Sequence, residues 1–76
     1  MELVYFHEIE YTSVQYPYIA KVKNKGDQWC KLHCLDLHAS ELTLDMESNS
    51  RKLKFRFRSD SDMLAFQIGF SPNDCV

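Results

Sequence analysis

Two stretches of the chain alternate strictly between apolar and polar or charged residues. Leu42-Thr43-Leu44-Asp45-Met46-Glu47 and Lys52-Leu53-Lys54-Phe55-Arg56-Phe57-Arg58 flank Ser48-Asn49-Ser50-Arg51. A period of two belongs to a strand with one buried face, and the polar segment between two such runs predicts a hairpin. A two-residue loop at Asn49-Ser50 sets a register. It pairs Met46 with Leu53, Leu44 with Phe55 and Leu42 with Phe57 on the inner face. On the outer face Glu47 meets Lys52, Asp45 meets Lys54 and Glu41 meets Arg58. A slip of one residue would turn the whole apolar set to solvent.

The remaining chain divides around this hairpin. Leu3 to Tyr11 is rich in β-branched and aromatic residues and reads as a strand, with Leu3, Tyr5, His7, Ile9 and Tyr11 on one face and Glu8 and Glu10 on the other. Thr12 to Pro17 is a connection, since Pro17 forbids a ladder hydrogen bond. Tyr18 to Lys23 reads as a second strand, with Lys21 and Lys23 outward toward Glu8 and Glu10, and Asn24 to Gly26 ends it. Asp27 is placed to cap a helix from Gln28 to about Cys34, although a strand would also fit 28–38. Ser59 caps a second helix with Asp62 three residues on, burying Met63, Phe66 and Phe70 and ending at Gly69 and Pro72. A short last strand at Gln67–Phe70 is the variant of that ending, and Asn73 to Val76 should fray. The expected class is α+β: a small two-layer domain, an antiparallel sheet covered by two short helices, in the order β-β-α-β-β-α.

Composition narrows the function classes. A chain of 76 residues makes a single domain, 1–76, and its 45% hydrophobic and 13% aromatic content argues against disorder. The net charge of -2 favours neither nucleic acid nor an anionic membrane. Cys30, Cys34 and Cys75 are an odd set, with no cleavable apolar segment ahead of the first strand, which predicts a reducing cytoplasm. No apolar run approaches the roughly 20 residues of a membrane span.

Four constellations could carry chemistry. Cys30, His33, Cys34 and His38 offer soft ligands for zinc, yet all sit within one short stretch, where a structural site takes its ligand pairs from separate elements. The favoured reading makes both cysteines small core hydrophobes and expects no metal and no cofactor. A Cys–His nucleophile would need a cleft and an orienting third group, and no phosphate loop or hydrolase motif is present, so no enzyme is expected. Lys52, Lys54, Arg56 and Arg58, with Arg51, form a basic stripe resembling a single-strand platform, but the register sets acids opposite them. Tyr5, Tyr11, Tyr16 and Tyr18 supply more aromatic surface than one small core absorbs, and tyrosine-rich surface favours a protein interface.

Two segments also carry a resemblance. Trp29-Cys30-Lys31-Leu32-His33-Cys34 resembles a WCxxxC stretch found in small accessory proteins of tailed bacteriophages. Phe55 to Phe70 resembles the strand, acidic cap and aromatic helix with which those proteins end, departing from it at Met63, Ile68 and Gly69. The resemblance covers about a third of the chain. It implies a viral setting in the host cytoplasm and a stoichiometric binder that inhibits or masks a bacterial host or defence protein. A protein-binding module is therefore the expected function, with a nucleic-acid-binding regulator using the basic strand 51–58 as the alternative and a zinc-stabilised module third.

Overall fold

The computed structural model describes residues 5–75, the side chain of Cys75 excepted. The part of the first predicted strand at Leu3 lies outside the described residues. Five main elements follow one another: β1 (His7–Thr12), α1 (Ile19–His33), β2 (His38–Asp45), β3 (Ser50–Phe57) and α2 (Asp60–Gly69). A 3₁₀ turn at Pro72–Cys75 follows, where fraying was expected. The sheet is three-stranded and antiparallel with β3 in the centre. β1 and β2 both oppose β3, so α1 is the crossover that carries the chain from one edge to the other. The α+β class therefore stands, in the order β-α-β-β-α.

The main correction concerns α1. Tyr18 to Lys23 is not a strand, and Asp27 does not cap a helix. Both lie in or against one helix of 15 residues. Its buried positions are Ile19, Val22, Gly26 and Cys30, spaced at the three- and four-residue steps of a helix face. Ala20, which alternation on a strand would turn inward with Lys21 and Lys23 outward, is exposed. Lys23 bonds Asp27 one turn along at 3.0 Å rather than facing Glu8, and Asp27 also accepts from the Ser40 hydroxyl on β2. Gly26 does not break the helix because the core needs its missing side chain: a Cβ there would lie 2.3 Å from Cζ of Phe55.

The hairpin exists, in a register four residues away from the expected one. Leu42 opposes Leu53, Ser40 opposes Phe55 and His38 opposes Phe57. An even shift keeps every side chain on its face, so alternation alone cannot reject it. The loop decides. The Asp45 carboxylate accepts from the Glu47 N–H at 3.1 Å and the Ser48 hydroxyl at 2.9 Å, which starts the turn just past Asp45. Asn49 then takes a left-handed φ of 52°, a conformation asparagine tolerates. Met46 accordingly sits in the loop, 82% exposed.

The second helix matches its prediction. Ser59 Oγ accepts from the Asp62 N–H, and the chain is helical through Gly69, so no strand forms at Gln67–Phe70. Asp62 itself does more than face the helix dipole. Buried to 4% exposure, its carboxylate accepts from Leu35 N–H and Asp36 N–H, at 3.1 and 2.9 Å for the shorter contacts, and ties the loop after α1 to α2.

Both helices lie on one sheet face. The core joins Ile19, Val22 and Cys30 of α1 to Leu53, Phe55 and Phe57 of β3 and to Phe66 of α2, with Phe70 closing the end. Leu53, Phe55 and Phe57 are all essentially buried, as alternation along β3 requires.

Two outcomes follow. Gly26→Ala should destabilise the protein by about 1–3 kcal/mol in urea denaturation, since overpacking against buried Phe55 outweighs the helix propensity gained. Gly69→Ala, at an exposed helix end beside the half-buried ring of Trp29, should cost less, and equal costs would contradict this packing. In the turn, the Ser48 hydroxyl, and after it the Glu47 N–H, hold the Asp45 carboxyl below its ordinary value of 3.8. A depressed carboxyl contributes stability above its unfolded pKa and loses it as pH falls through the folded one. NMR titration should therefore show Asp45 protonating at lower pH than a free carboxylate, with Ser48→Ala moving it up.

Candidate functional site

The three tyrosines at the first connection form a wall against the core. Tyr11 meets Tyr16 edge-on at 5.6 Å and Phe55 at 6.1 Å, and Tyr16 meets Tyr18 at 6.2 Å. Tyr11, Tyr16 and Tyr18 are partly buried hydrophobics packed on the core cluster. β1 and the start of α1 leave the sheet at this end, and the rings fill the gap between them. Tyr5 is half-buried in a separate groove with Phe6 and Arg56. The four rings do not form one open surface.

Lys52, Lys54 and Arg56 of β3 point to the uncovered sheet face, where the neighbouring strands place acids beside them. Arg56 lies 3.3 Å from Glu8 and 3.2 Å from Glu41, one carboxylate from each edge strand. Lys54 lies 3.9 Å from Glu8 and Lys52 3.6 Å from Asp45. Arg58, just past the strand, is 4.0 Å from Asp36. The partners differ from the expected Glu47, Asp45 and Glu41 because the register differs, yet the principle is the same. A central basic strand between acidic edges neutralises itself. Each such half-exposed pair stabilises the fold by about 0–1 kcal/mol, so their main effect is on the surface potential.

The cysteines and histidines are dispersed. Cys30 is buried in the core face of α1 and Cys34 is its half-buried C-cap. The two side chains lie one turn apart, with the Cys34 N–H donating to the Cys30 carbonyl. Burial pushes both thiols up, Cys30 furthest, and nearby Cys34, Asp27 and Asp62 add to the effect there. Neutral thiols are poor nucleophiles and poor ligands. His33 is exposed and lies tilted against Trp29, ring centres 4.7 Å apart, while His38 pairs with Phe57 across the sheet. Among the described residues, no group of three or more His, Cys, Asp or Glu side chains could hold a metal.

What the pattern of the sequence did not single out is the outer surface of the helical layer. Leu32 is 79% exposed, Leu35 95% and Ile68 87%, and Leu64 is also open. Leu64 and Ile68 are one turn apart on α2, opposite the face that buries Asp62 and Phe66. The signal was present: α2 is apolar on both faces, unusual for a helix with one side in water. Beside Leu32 a groove of about 340 Å³ opens between α1 and the end of α2, walled by Trp29, Leu32, His33 and Phe70, with Lys25 and Asp74 at its edge. At Gly69, one of its lining residues, the Trp29 ring packs close to the backbone, and a Cβ would stand 2.9 Å from it.

In comparisons with known proteins, no family model, curated protein or solved structure matches this chain. Among the described residues, no helix is long and apolar enough to cross a membrane.

Thiol reactivity checks the electrostatics of this region. Folded protein treated with iodoacetamide near pH 8 should leave Cys30 essentially unmodified and alkylate Cys34 slowly, with unfolded protein labelled at both. Rapid labelling of Cys30 in the folded state would show an ionised, accessible thiol and reopen a nucleophilic role.

Proposed function

We propose that this protein is a non-catalytic binding module that covers part of a partner protein's surface. The observation that carries the reading is the set of large aliphatic side chains left open on the helical layer. Leu32, Leu35, Leu64 and Ile68 take no part in the core, which is complete without them. Exposed apolar surface of this kind, with Leu32 lining the groove, is what a protein partner buries on association. The tyrosines support the same face of the fold from within rather than forming the contact themselves. The raised thiols of Cys30 and Cys34 leave the cysteines poorly suited to nucleophilic work, which accords with a binder rather than an enzyme.

The setting is proposed on the resemblance of residues 29–34 and 55–70 to small phage accessory proteins. In that setting the partner is a bacterial host or defence protein, and masking it in the host cytoplasm is the mode of action. The nucleic-acid alternative through Lys52, Lys54, Arg56 and Arg58 loses support because each of these cations has an acidic neighbour.

Affinity capture from bacterial lysate tests the reading. Leu35→Ser with Ile68→Ser changes only exposed positions, so stability should move by no more than about 0.5 kcal/mol each. The pair should lose the protein that the parent retains, and Lys54→Ala with Arg56→Ala should keep it. If the parent retains nucleic acid instead, and the basic pair of changes abolishes this, the protein-binding reading is wrong.

A further inference from the structure

The cations of this chain fall into two groups. Lys52, Lys54, Arg56 and Arg58 sit beside carboxylates, as does Lys23 beside Asp27, whereas Arg51, on the other face of β3, makes no ion pair among the described residues. Lys21, Lys25 and Lys31, by contrast, are exposed on α1 and, among the described residues, make no ion pair. At about 100° per residue they fall within roughly 120° of arc on the side away from Ile19, Val22, Gly26 and Cys30. No acidic residue shares that arc, because Asp27 turns toward β2 to meet Ser40. With a net charge of -2 overall, this outer helix face is a local reversal of sign.

The lysine face adjoins the apolar groove. Lys25 stands on its rim together with Gln28, and Leu32 continues the same face one turn beyond. Cation and apolar wall thus lie side by side on one helix. We infer that the outer face of α1 and the groove at Trp29, Leu32 and Phe70 together receive an acidic segment of the partner protein that also carries large apolar side chains. This rests on the protein-binding reading and names the partner's chemistry.

Dimensions agree with such an occupant. Lys21 and Lys31 are separated by ten residues of helix, or about 15 Å at 1.5 Å per residue. An extended segment covers that distance in about five residues at roughly 3.3 Å each, with alternate side chains on opposite sides. Acids on one side can reach the lysines while an apolar residue on the other enters the groove. The groove volume of about 340 Å³ admits one or two such side chains. Asp74 at the rim repels a carboxylate placed deep in the groove, which favours the apolar residue there and the acids along the helix. A nucleic-acid strand would match the lysines but leaves the exposed Leu32 and Leu35 without a partner.

The probe is a fluorescein-labelled ten-residue peptide of aspartate and glutamate interrupted by leucine and phenylalanine. Its comparators are the same peptide with every acid replaced by serine and an oligothymidine of equal formal charge. The acidic peptide should raise anisotropy, shift Trp29 fluorescence and bind best of the three. Lys25→Glu with Lys31→Glu should weaken it by about tenfold or more, the combined effect of reversing two surface charges, at an unchanged melting temperature. Lys54→Ala with Arg56→Ala should leave it within about twofold, because those cations sit on the opposite sheet face. Tighter binding of oligothymidine would overturn the inference in favour of nucleic acid. Binding equal for the serine peptide, unaffected by the lysine reversals, or absent for every probe would also overturn it. Lysate capture separates the two levels: loss with Leu35→Ser/Ile68→Ser but retention with the lysine reversals leaves a protein binder whose partner is not acidic.

Discussion

The ring of Phe55 fills the gap that Gly26 leaves in α1, and the arrangement of the helical layer follows from that contact. Phe55 belongs to the central strand, so its position is fixed by ladders on both sides. A glycine in a helix interior costs about 1 kcal/mol against alanine, which is offset here by letting backbone and ring approach. From this seat the ring lies 4.8 Å from Phe66 and 6.3 Å from Phe70, which bring α2 and the chain beyond it onto the same side chain. Phe66 in turn meets Trp29 edge-on at 5.3 Å and closes the circuit back to α1. Asp62 completes it with polar bonds, holding the Leu35 and Asp36 backbone where α1 ends.

That dependence explains which elements were legible in the sequence. β3 and α2 were read correctly because their information is local: strict alternation from Lys52 to Phe57, and a serine cap with an acid three residues on. α1 was split because its cues are tertiary. Over Tyr18 to Val22 a period of two and a helical period both fit, and Gly26 reads as a breaker unless the ring that fills it is known. The loop cue at Asn49 was noticed, but its role as the left-handed residue closing a turn begun by Asp45 was not. A four-residue register error followed, which the hydrophobic pattern tolerates by parity. The outer surface was the least legible, since whether Leu32 or Ile68 is covered depends on where the other helix lies.

The electrostatic pattern also follows from topology. Because β3 is inserted between two edge strands, one row of cations can be flanked by Glu8 on one side and by Glu41 and Asp45 on the other. The same residues on an edge strand would have had acids on one side only, and a real basic stripe would remain. Strand order therefore turns the most conspicuous charge feature of the sequence into a nearly neutral sheet face. The lysines of α1 have no such flanking elements, because a helix lying on a sheet turns its outer side to solvent alone.

A two-layer domain buries one face of each helix and has nothing else to lay over the opposite one. With eight side chains forming the buried core among the described residues, further aliphatic residues on that opposite face add little to folding. Polar residues there would serve stability and solubility as well or better. Leu32, Leu35, Leu64 and Ile68 are thus surplus to the fold, and beside Leu32 the missing side chain of Gly69 lets the indole of Trp29 lie close against the end of α2. The asymmetry between the two sides of the molecule is the physical basis for assigning function. Apart from the exposed Phe6, the sheet side is polar and its central cations lie beside carboxylates. The helical side retains unpaired lysines and uncovered apolar area in adjacent positions, and the proposed partner is one that would satisfy both at once.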